Sequence, residues 1–124
     1  MKVFKINAAQ GEITLRRLGN LPTKIVLPQG FSPLQLERGK FIIGHSETQH
    51  DHVLSKIDGA TVGVMDKPPE GMRVLHMILK NPMSLDHLRP HDTHESIALE
   101  PGVYEVRIAR EFDHYAELAR QSAD

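Results

Sequence analysis

Short apolar segments, interrupted every few residues by glycine or proline, constrain the fold of this chain more than any other feature. The 124 residues include 9 glycines and 8 prolines, and turn signals at this density favour strands over helices. The pattern is clearest near the end, where Tyr104, Val106 and Ile108 alternate with Glu105 and Arg107. A period of two residues puts the apolar side chains on one face of a strand. The sequence therefore predicts a mainly β fold.

The same punctuation predicts where the strands lie. We expect strands at Met1 to Ile6, Glu12 to Leu18, Lys24 to Leu27, Gly39 to His45, His50 to Ile57, Ala60 to Met65, Met72 to Lys80, Ile97 to Leu99 and Val103 to Ile108. The run Ala-Ala-Gln-Gly is expected to be a turn, and Asn81 to Thr93 to be irregular. After Asp113, the spacing of Tyr115, Leu118 and Ala119 predicts a short C-terminal helix.

We predict one domain, residues 1–124, because a chain of this length is the size of an ordinary domain. Its expected architecture is a single small barrel or sandwich, with a jelly-roll or cupin-like arrangement as one form of it. A short C-terminal helix completes the prediction.

Composition excludes several functional classes. The chain has no cysteine, which excludes thiolate metal sites and cysteine nucleophiles. Its net charge is −1, and the densest basic cluster is the pair Arg16 and Arg17, so the sequence disfavours nucleic acid as a partner. No stretch approaches the ~20 apolar residues of a membrane span. Met1 to Gln10 does not resemble a signal peptide, so a cytoplasmic location is expected.

Histidines in two short segments are the most informative chemical feature. Three of the eight histidines fall between His45 and His52, together with Glu47 and Asp51. If Asp51 lies in a strand, His50 and His52 project from the same face and can share one cation. The second segment, His91 to Glu95, adds two more histidines and two carboxylates, and in a β domain it can meet the first segment across adjacent strands.

Imidazole and carboxylate groups in this combination favour a divalent metal ion such as Zn, Ni, Fe or Mn. The predicted ligands are His50, His52, His45, His91, His94 and Glu95. Solvated or structural histidines are one alternative interpretation of the same residues, and metal-free acid–base work or pH sensing is another. His76, in the apolar run from Val74 to Leu79, is expected to be a core or interface histidine, and His87 and His114 are expected to lie at the surface.

Part of the chain resembles the cupin signature. Gly44, His50 and His52 match its first half, Gly-x5-His-x-His. Gly63, Pro69 and Gly71 match the spacing of its second half. Lys56 or Ile57 stands where that signature has a glutamate, and Val74 stands where it has its last histidine. The resemblance implies metal binding with half of the usual ligands.

A second resemblance covers residues 40 to 124. The segments Gly44 to Val53, His94 to Arg107 and Arg110 to Phe112 resemble a family of small uncharacterised bacterial and prophage-associated proteins. That family implies no activity. It implies that the two histidine segments belong together.

Three functional hypotheses remain open. The first is a histidine-rich, metal-binding β domain, which includes a small metalloenzyme whose metal activates water or polarises a substrate oxygen. The second is a structural or adaptor protein of the prophage type, a homo-oligomer whose histidines lie at a subunit interface. The third is a metal-free barrel that binds a small ligand in a pocket containing histidine, Glu105 and Arg107 side chains.

Overall fold

The chain folds into strands joined by turns and loops, as seen in a computed structural model that describes residues 2–3, 7–10, 13–45, 51–88 and 93–109. Within these ranges there are eleven strands and no helix. The strands are β1 (Lys2–Val3), β2 (Asn7–Gln10), β3 (Ile13–Gly19), β4 (Phe31–Pro33), β5 (Ile42–Gly44), β6 (His52–Leu54), β7 (Ala60–Met65), β8 (Met72–Leu79), β9 (Met83–Leu88), β10 (Thr93–Leu99) and β11 (Gly102–Ala109).

The strands form two sheets. The five-stranded sheet has the order β1-β10-β9-β6-β5, and the six-stranded sheet has the order β2-β3-β11-β8-β7-β4. Neighbouring strands are antiparallel except for the short pair β1 and β10, which is parallel. Over the described residues neither sheet closes on itself. The architecture is therefore sandwich-like, and the predicted mainly β fold is confirmed in this form.

Alternate residues of the central strands fill the space between the sheets. In β8 the inward side chains are Leu75, Met77 and Leu79, and they form one buried cluster with Leu85 and Ile97 of the other sheet. Because one cluster contains residues of both sheets, the sheets pack face to face over a shared core. The predicted alternation in β11 is also confirmed: Tyr104, Val106 and Ile108 are buried and belong to this core.

Three predictions of secondary structure are wrong. Ala8 to Gln10, expected in a turn, lie in β2 and pair with β3. Residues 24–27, expected to be a strand, lie in a loop, where Leu27 packs against the position of Gly63. The segment expected to be irregular contains β9, which pairs on both sides. The predicted C-terminal helix lies outside the described residues.

A hydrogen-bonded corner ties β11 to the turn that precedes it. The hydroxyl of the buried Tyr104 donates to the carbonyl oxygen of Glu100, at 2.5 Å. Nη2 of Arg17 donates to the carbonyl oxygen of Pro101, at 2.9 Å. Burial raises the pKa of the Tyr104 hydroxyl, while its hydrogen bond with Arg17 acts in the opposite direction. The corner thus satisfies polar groups at the edge of the core.

Replacing Tyr104 with Phe should lower the free energy of unfolding. The change removes one hydrogen bond and leaves the Glu100 carbonyl without that donor, so we expect a loss of about 1 kcal/mol. Urea unfolding followed by circular dichroism measures it. Ser32→Ala is the matched control, because it removes an exposed hydroxyl that donates to Asp66, and it should change stability by less than about 0.5 kcal/mol. Equal effects of the two variants would contradict a structural role for the corner.

Candidate functional site

Three histidines stand opposite one another on adjacent strands of the five-stranded sheet. In the backbone register His52 of β6 is the partner of His87 in β9. His87 is in turn the partner of His94 in β10. We call these three backbone positions the histidine row. Directly opposite positions in antiparallel strands bring Cβ atoms to within about 4.5–5.5 Å, so they are the closest cross-strand neighbours that a sheet provides.

The rings of His52 and His87 are stacked and buried. Their centroids are 4.0 Å apart and their planes are 17° from parallel. The His52 residue has 0% of its surface exposed, and His87 has 8%. Both positions follow from the two-residue period, since His52 precedes the core residue Leu54 by two positions and His87 follows the core residue Leu85 by two. Both imidazoles therefore lie on the inner face of the sheet.

On the other side of His52, the backbone partner is Gly44 of β5. A Cβ atom at Gly44 would lie 3.0 Å from Cδ1 of Ile13, 3.3 Å from Cδ1 of Ile108 and 3.4 Å from Cδ2 of His52. Ile13 and Ile108 belong to the six-stranded sheet and face the shared core. The His52 ring thus lies between the two sheets, beside aliphatic side chains, and a larger residue at position 44 would crowd it.

The six predicted ligands do not all belong to this row. His52 is in it with its ring, and His94 is in it by backbone register. Glu95 follows His94 within β10. His45 lies just beyond β5 with its side chain half exposed, and its Nε2 is 2.6 Å from Oε2 of Glu37. His50 and His91 lie outside the described residues, as does His114. Asp51 precedes β6, and its carbonyl oxygen accepts a hydrogen bond from the backbone of Leu88.

The expectation that His87 lies at the surface is wrong. The apolar alternation of Met83 and Leu85 continues to His87 and carries its ring to the inner face. The alternation of Met83, Leu85 and His87 is visible in the sequence. It was missed because residues 81–93 were interpreted as irregular. His87 is consequently the member of the row that sequence reasoning missed, and it is also the central one.

The stacking of the His52 and His87 rings limits how the histidine row could bind a metal ion. Among side chains that the structure describes, no group of three or more histidine, aspartate or glutamate residues could hold a metal ion. An imidazole nitrogen binds a metal along a lone pair in the plane of its ring. In two nearly parallel stacked rings these directions do not converge on one point. Joint coordination by His52 and His87 would therefore require one ring to turn.

His76 belongs to the outer face of the six-stranded sheet. It pairs in register with Glu105 on one side and Gly63 on the other. Its ring centroid is 5.6 Å from that of Phe31. Burial lowers the pKa of His76 from its usual 6.5, and the nearby Glu105 carboxylate opposes this effect. The side chain is half-buried and lies outside the core cluster, so His76 is not a core histidine. The expectation that it lies at an interface stays a prediction.

Glu105 and Arg107 form an ion pair on the same outer face. Nε of Arg107 donates to Oε1 of Glu105, and the Arg107 side chain is about half exposed. A cleft elsewhere, on the five-stranded sheet, is lined by Lys40, Val53, Asp86 and other residues. The third hypothesis requires Glu105 and Arg107 to line a pocket, and this cleft does not involve them.

His76→Gln should reduce the loss of stability on acidification. Because burial lowers the pKa of folded His76, the unfolded chain takes up this proton at a higher pH than the folded chain. The stability associated with neutral His76 is complete above pH 6.5 and falls as the pH decreases toward the lower pKa of the folded state. Urea unfolding at about pH 7.5 and about pH 5.5 should show a smaller difference for the variant. If the free energy of unfolding changes equally with pH in the wild-type protein and in His76→Gln, the lowered pKa of His76 is contradicted. His45→Gln, which removes a half-exposed histidine, is the reference variant.

The comparisons with other proteins give a family and no activity. Among the described residues there is no helix with the length and apolar character needed to cross a membrane. No curated protein and no solved structure matches the chain. One family matches residues 9–109, which is most of the chain and includes all positions of the histidine row. The match confirms that the relatives are uncharacterised, as the second sequence resemblance implied. The chain belongs to the family described as Domain of unknown function (DUF8820).

Proposed function

We propose that this protein is a metal-binding β-sandwich protein whose site is the histidine row. The observation that carries the proposal is that two imidazoles, those of His52 and His87, are buried side by side in a row whose next backbone position is His94. For both rings to bind one ion, one of them has to turn out of the stacked arrangement. Buried imidazoles are uncommon unless they pack, bond or bind a ligand. Here two buried imidazoles and a third histidine position occupy successive strands at one register position.

The chemistry of the row suits a borderline transition metal. Neutral imidazole is a ligand for zinc, nickel, copper and iron, whereas magnesium and calcium prefer oxygen. Three imidazoles would leave a fourth position of a tetrahedral ion open, which is the arrangement of catalytic zinc sites. An ion held in this way would be able to activate a water molecule, which is the chemistry that a small metalloenzyme would need. Metal binding is the broader proposal and does not depend on catalysis.

A purely structural stack is the competing explanation for the two described rings. Stacked rings bury apolar surface and contribute about 0.5–1.5 kcal/mol beyond that burial. Interface histidines in a homo-oligomer fit less well, because His52 and His87 are buried within a single chain. The two explanations separate experimentally, since a structural stack needs flat rings and a metal site needs ring nitrogens.

The wild-type protein should bind one Zn²⁺ or Ni²⁺ per chain, and His87→Phe should abolish that binding. Phenylalanine keeps a flat ring against His52 but has no nitrogen. We expect an affinity loss of more than about 100-fold, because even the loss of an outer-sphere partner costs 10–100-fold. Isothermal titration of untagged protein gives the affinity, and elemental analysis after dialysis gives the stoichiometry. His94→Ala should have the same effect as His87→Phe.

The matched control is His76→Gln, a histidine removed from the other sheet, which should leave metal affinity unchanged. Unfolding of every variant is followed in the absence of added metal, so that a failure to fold is recognised. Wild-type protein that binds no metal after incubation with Zn²⁺, Ni²⁺, Fe²⁺ and Mn²⁺ would contradict the proposal. Binding that survives His87→Phe would place the metal elsewhere in the chain.

A further inference from the structure

The outer face of the five-stranded sheet carries a cleft that the histidine row does not use. Its volume is about 500 Å³, which lies within the range of about 300–1,000 Å³ typical of small-molecule sites. Val53 and Asp86, which line the cleft, alternate along β6 and β9 with the inward-facing His52 and His87. They therefore lie on the opposite face of the sheet. The cleft is a separate place for a ligand.

Asp86 contributes an oriented carboxylate to this cleft. Its Oδ1 atom accepts hydrogen bonds from the hydroxyls of Ser96, at 2.7 Å, and Ser84, at 2.9 Å. Both donors are neutral, so they hold the carboxylate in place without balancing its charge. None of the ion pairs between described residues involves Asp86. A half-buried negative charge of this kind is suited to a cationic group supplied by a ligand.

The wall beside this carboxylate is apolar. Val53 is the direct backbone partner of Asp86, and it is buried although it lies outside the core shared by the two sheets. Ile57 and Leu88 also line the cleft, and Ile57 is 46% exposed. A cationic group bound at Asp86 would thus place an attached carbon chain against aliphatic side chains, which favour it over water.

Two lysines supply positive charge to the same cleft. Lys40 and Lys56 both line it, and both are exposed. The backbone of Lys40 is fixed by a tight turn, in which its N–H donates to the carbonyl oxygen of Glu37 at 3.0 Å and its own carbonyl oxygen accepts from Glu37 at 2.8 Å. The two central residues, Arg38 and Gly39, have φ values of 51° and 74°, as in a type I′ hairpin turn. Lysine ammonium groups at this edge are suited to an anionic group.

We propose that the cleft binds a small zwitterion with an apolar body, which is the chemistry of a free aliphatic amino acid. The carboxylate of Asp86 receives the ammonium group, the two lysines receive the carboxylate, and the carbon chain packs against Val53. Asp58 also lines the cleft, but it is exposed, so solvent weakens its attraction for the ammonium group. The inference is independent of metal binding by the histidine row.

A series of three related compounds tests the proposal on the wild-type protein. L-leucine has both charged groups, 4-methylpentanoate lacks the ammonium group, and 3-methylbutylamine lacks the carboxylate. We expect 4-methylpentanoate to bind about tenfold more weakly than L-leucine, because a hydrogen bond to a charged, half-buried group is lost. We expect 3-methylbutylamine to bind about threefold more weakly, because the lysines are exposed. Ligand-observed NMR titration measures all three affinities. Each titration contains EDTA, so that a bound metal ion cannot bind the amino acid.

Asp86→Asn assigns the ammonium group to its partner. The variant keeps an oxygen that accepts from both serine hydroxyls and removes the charge, so affinity for L-leucine should fall about tenfold while that for 4-methylpentanoate stays unchanged. Asp66→Asn is the matched control, because the Asp66 carboxylate also accepts from a serine hydroxyl, that of Ser32, but at the other sheet. It should leave both affinities unchanged. Lys40→Gln should weaken L-leucine and leave 3-methylbutylamine unaffected.

Several results would overturn the proposal. A wild-type protein that does not bind L-leucine is one, and equal affinity for L-leucine and either analogue is another. Unchanged L-leucine affinity in Asp86→Asn would also overturn it. Urea unfolding of each variant shows whether it is folded, and if Asp86→Asn is not, the three compounds on the wild-type protein decide the matter.

Discussion

Packing of two sheets over one core is the constraint on which every other feature depends. Each central strand must present its alternate apolar side chains to the opposite sheet, as β8 does with Leu75, Met77 and Leu79. A two-residue period then decides which face the other residues of a regular strand occupy. His52 and His87 are buried for this reason: each continues the inner face of a strand whose register is already fixed by leucine. The positions of these two histidines are thus a consequence of core packing.

Burial also determines what chemistry the row can perform. Beside Ile13 and Ile108 the His52 imidazole lies in a region of low polarity, where electrostatic interactions are stronger than in water. A metal ion bound there would be shielded from solvent by the surrounding apolar side chains. Such an apolar shell changes the pKa of a water molecule bound to the metal. Gly44 is part of this environment, because a Cβ atom there would contact the His52 ring and approach Ile13 and Ile108 more closely still. A metal ion would reach such a site less easily, and its electrostatic interactions there would be stronger.

Sequence patterns predicted much of this fold and part of the site. The alternation in β11 and the long apolar run of β8 predicted these two strands, because both patterns follow directly from burial. That the two strands pair in the six-stranded sheet is a finding of the structure. His52 was predicted to lie in a strand together with His50, and β6 does begin at His52, whereas His50 lies outside the described residues. His45 was grouped with His52 on proximity along the chain, yet Glu37 from a different turn binds its ring. A partner in a separate turn leaves no signal in the histidine segment itself, so patterns could not separate these two histidines.

The sequence prediction and the structure also differ at His87 and at His94. The two differences have separate physical causes. His87 obeys the alternation of its strand, so assigning β9 as a strand is enough to recover it. His94 is opposite His87 in the backbone register, because a β-bulge between Ile97 and His94 shifts the pairing of β10 with β9 by one residue. A bulge depends on pairing with a neighbouring strand and on the bonds that Asp86 makes across it. Periodicity along one segment contains neither fact. The row can therefore be recognised only when two strands are considered together, since alternation along β10 alone would put Glu95, and not His94, opposite His87.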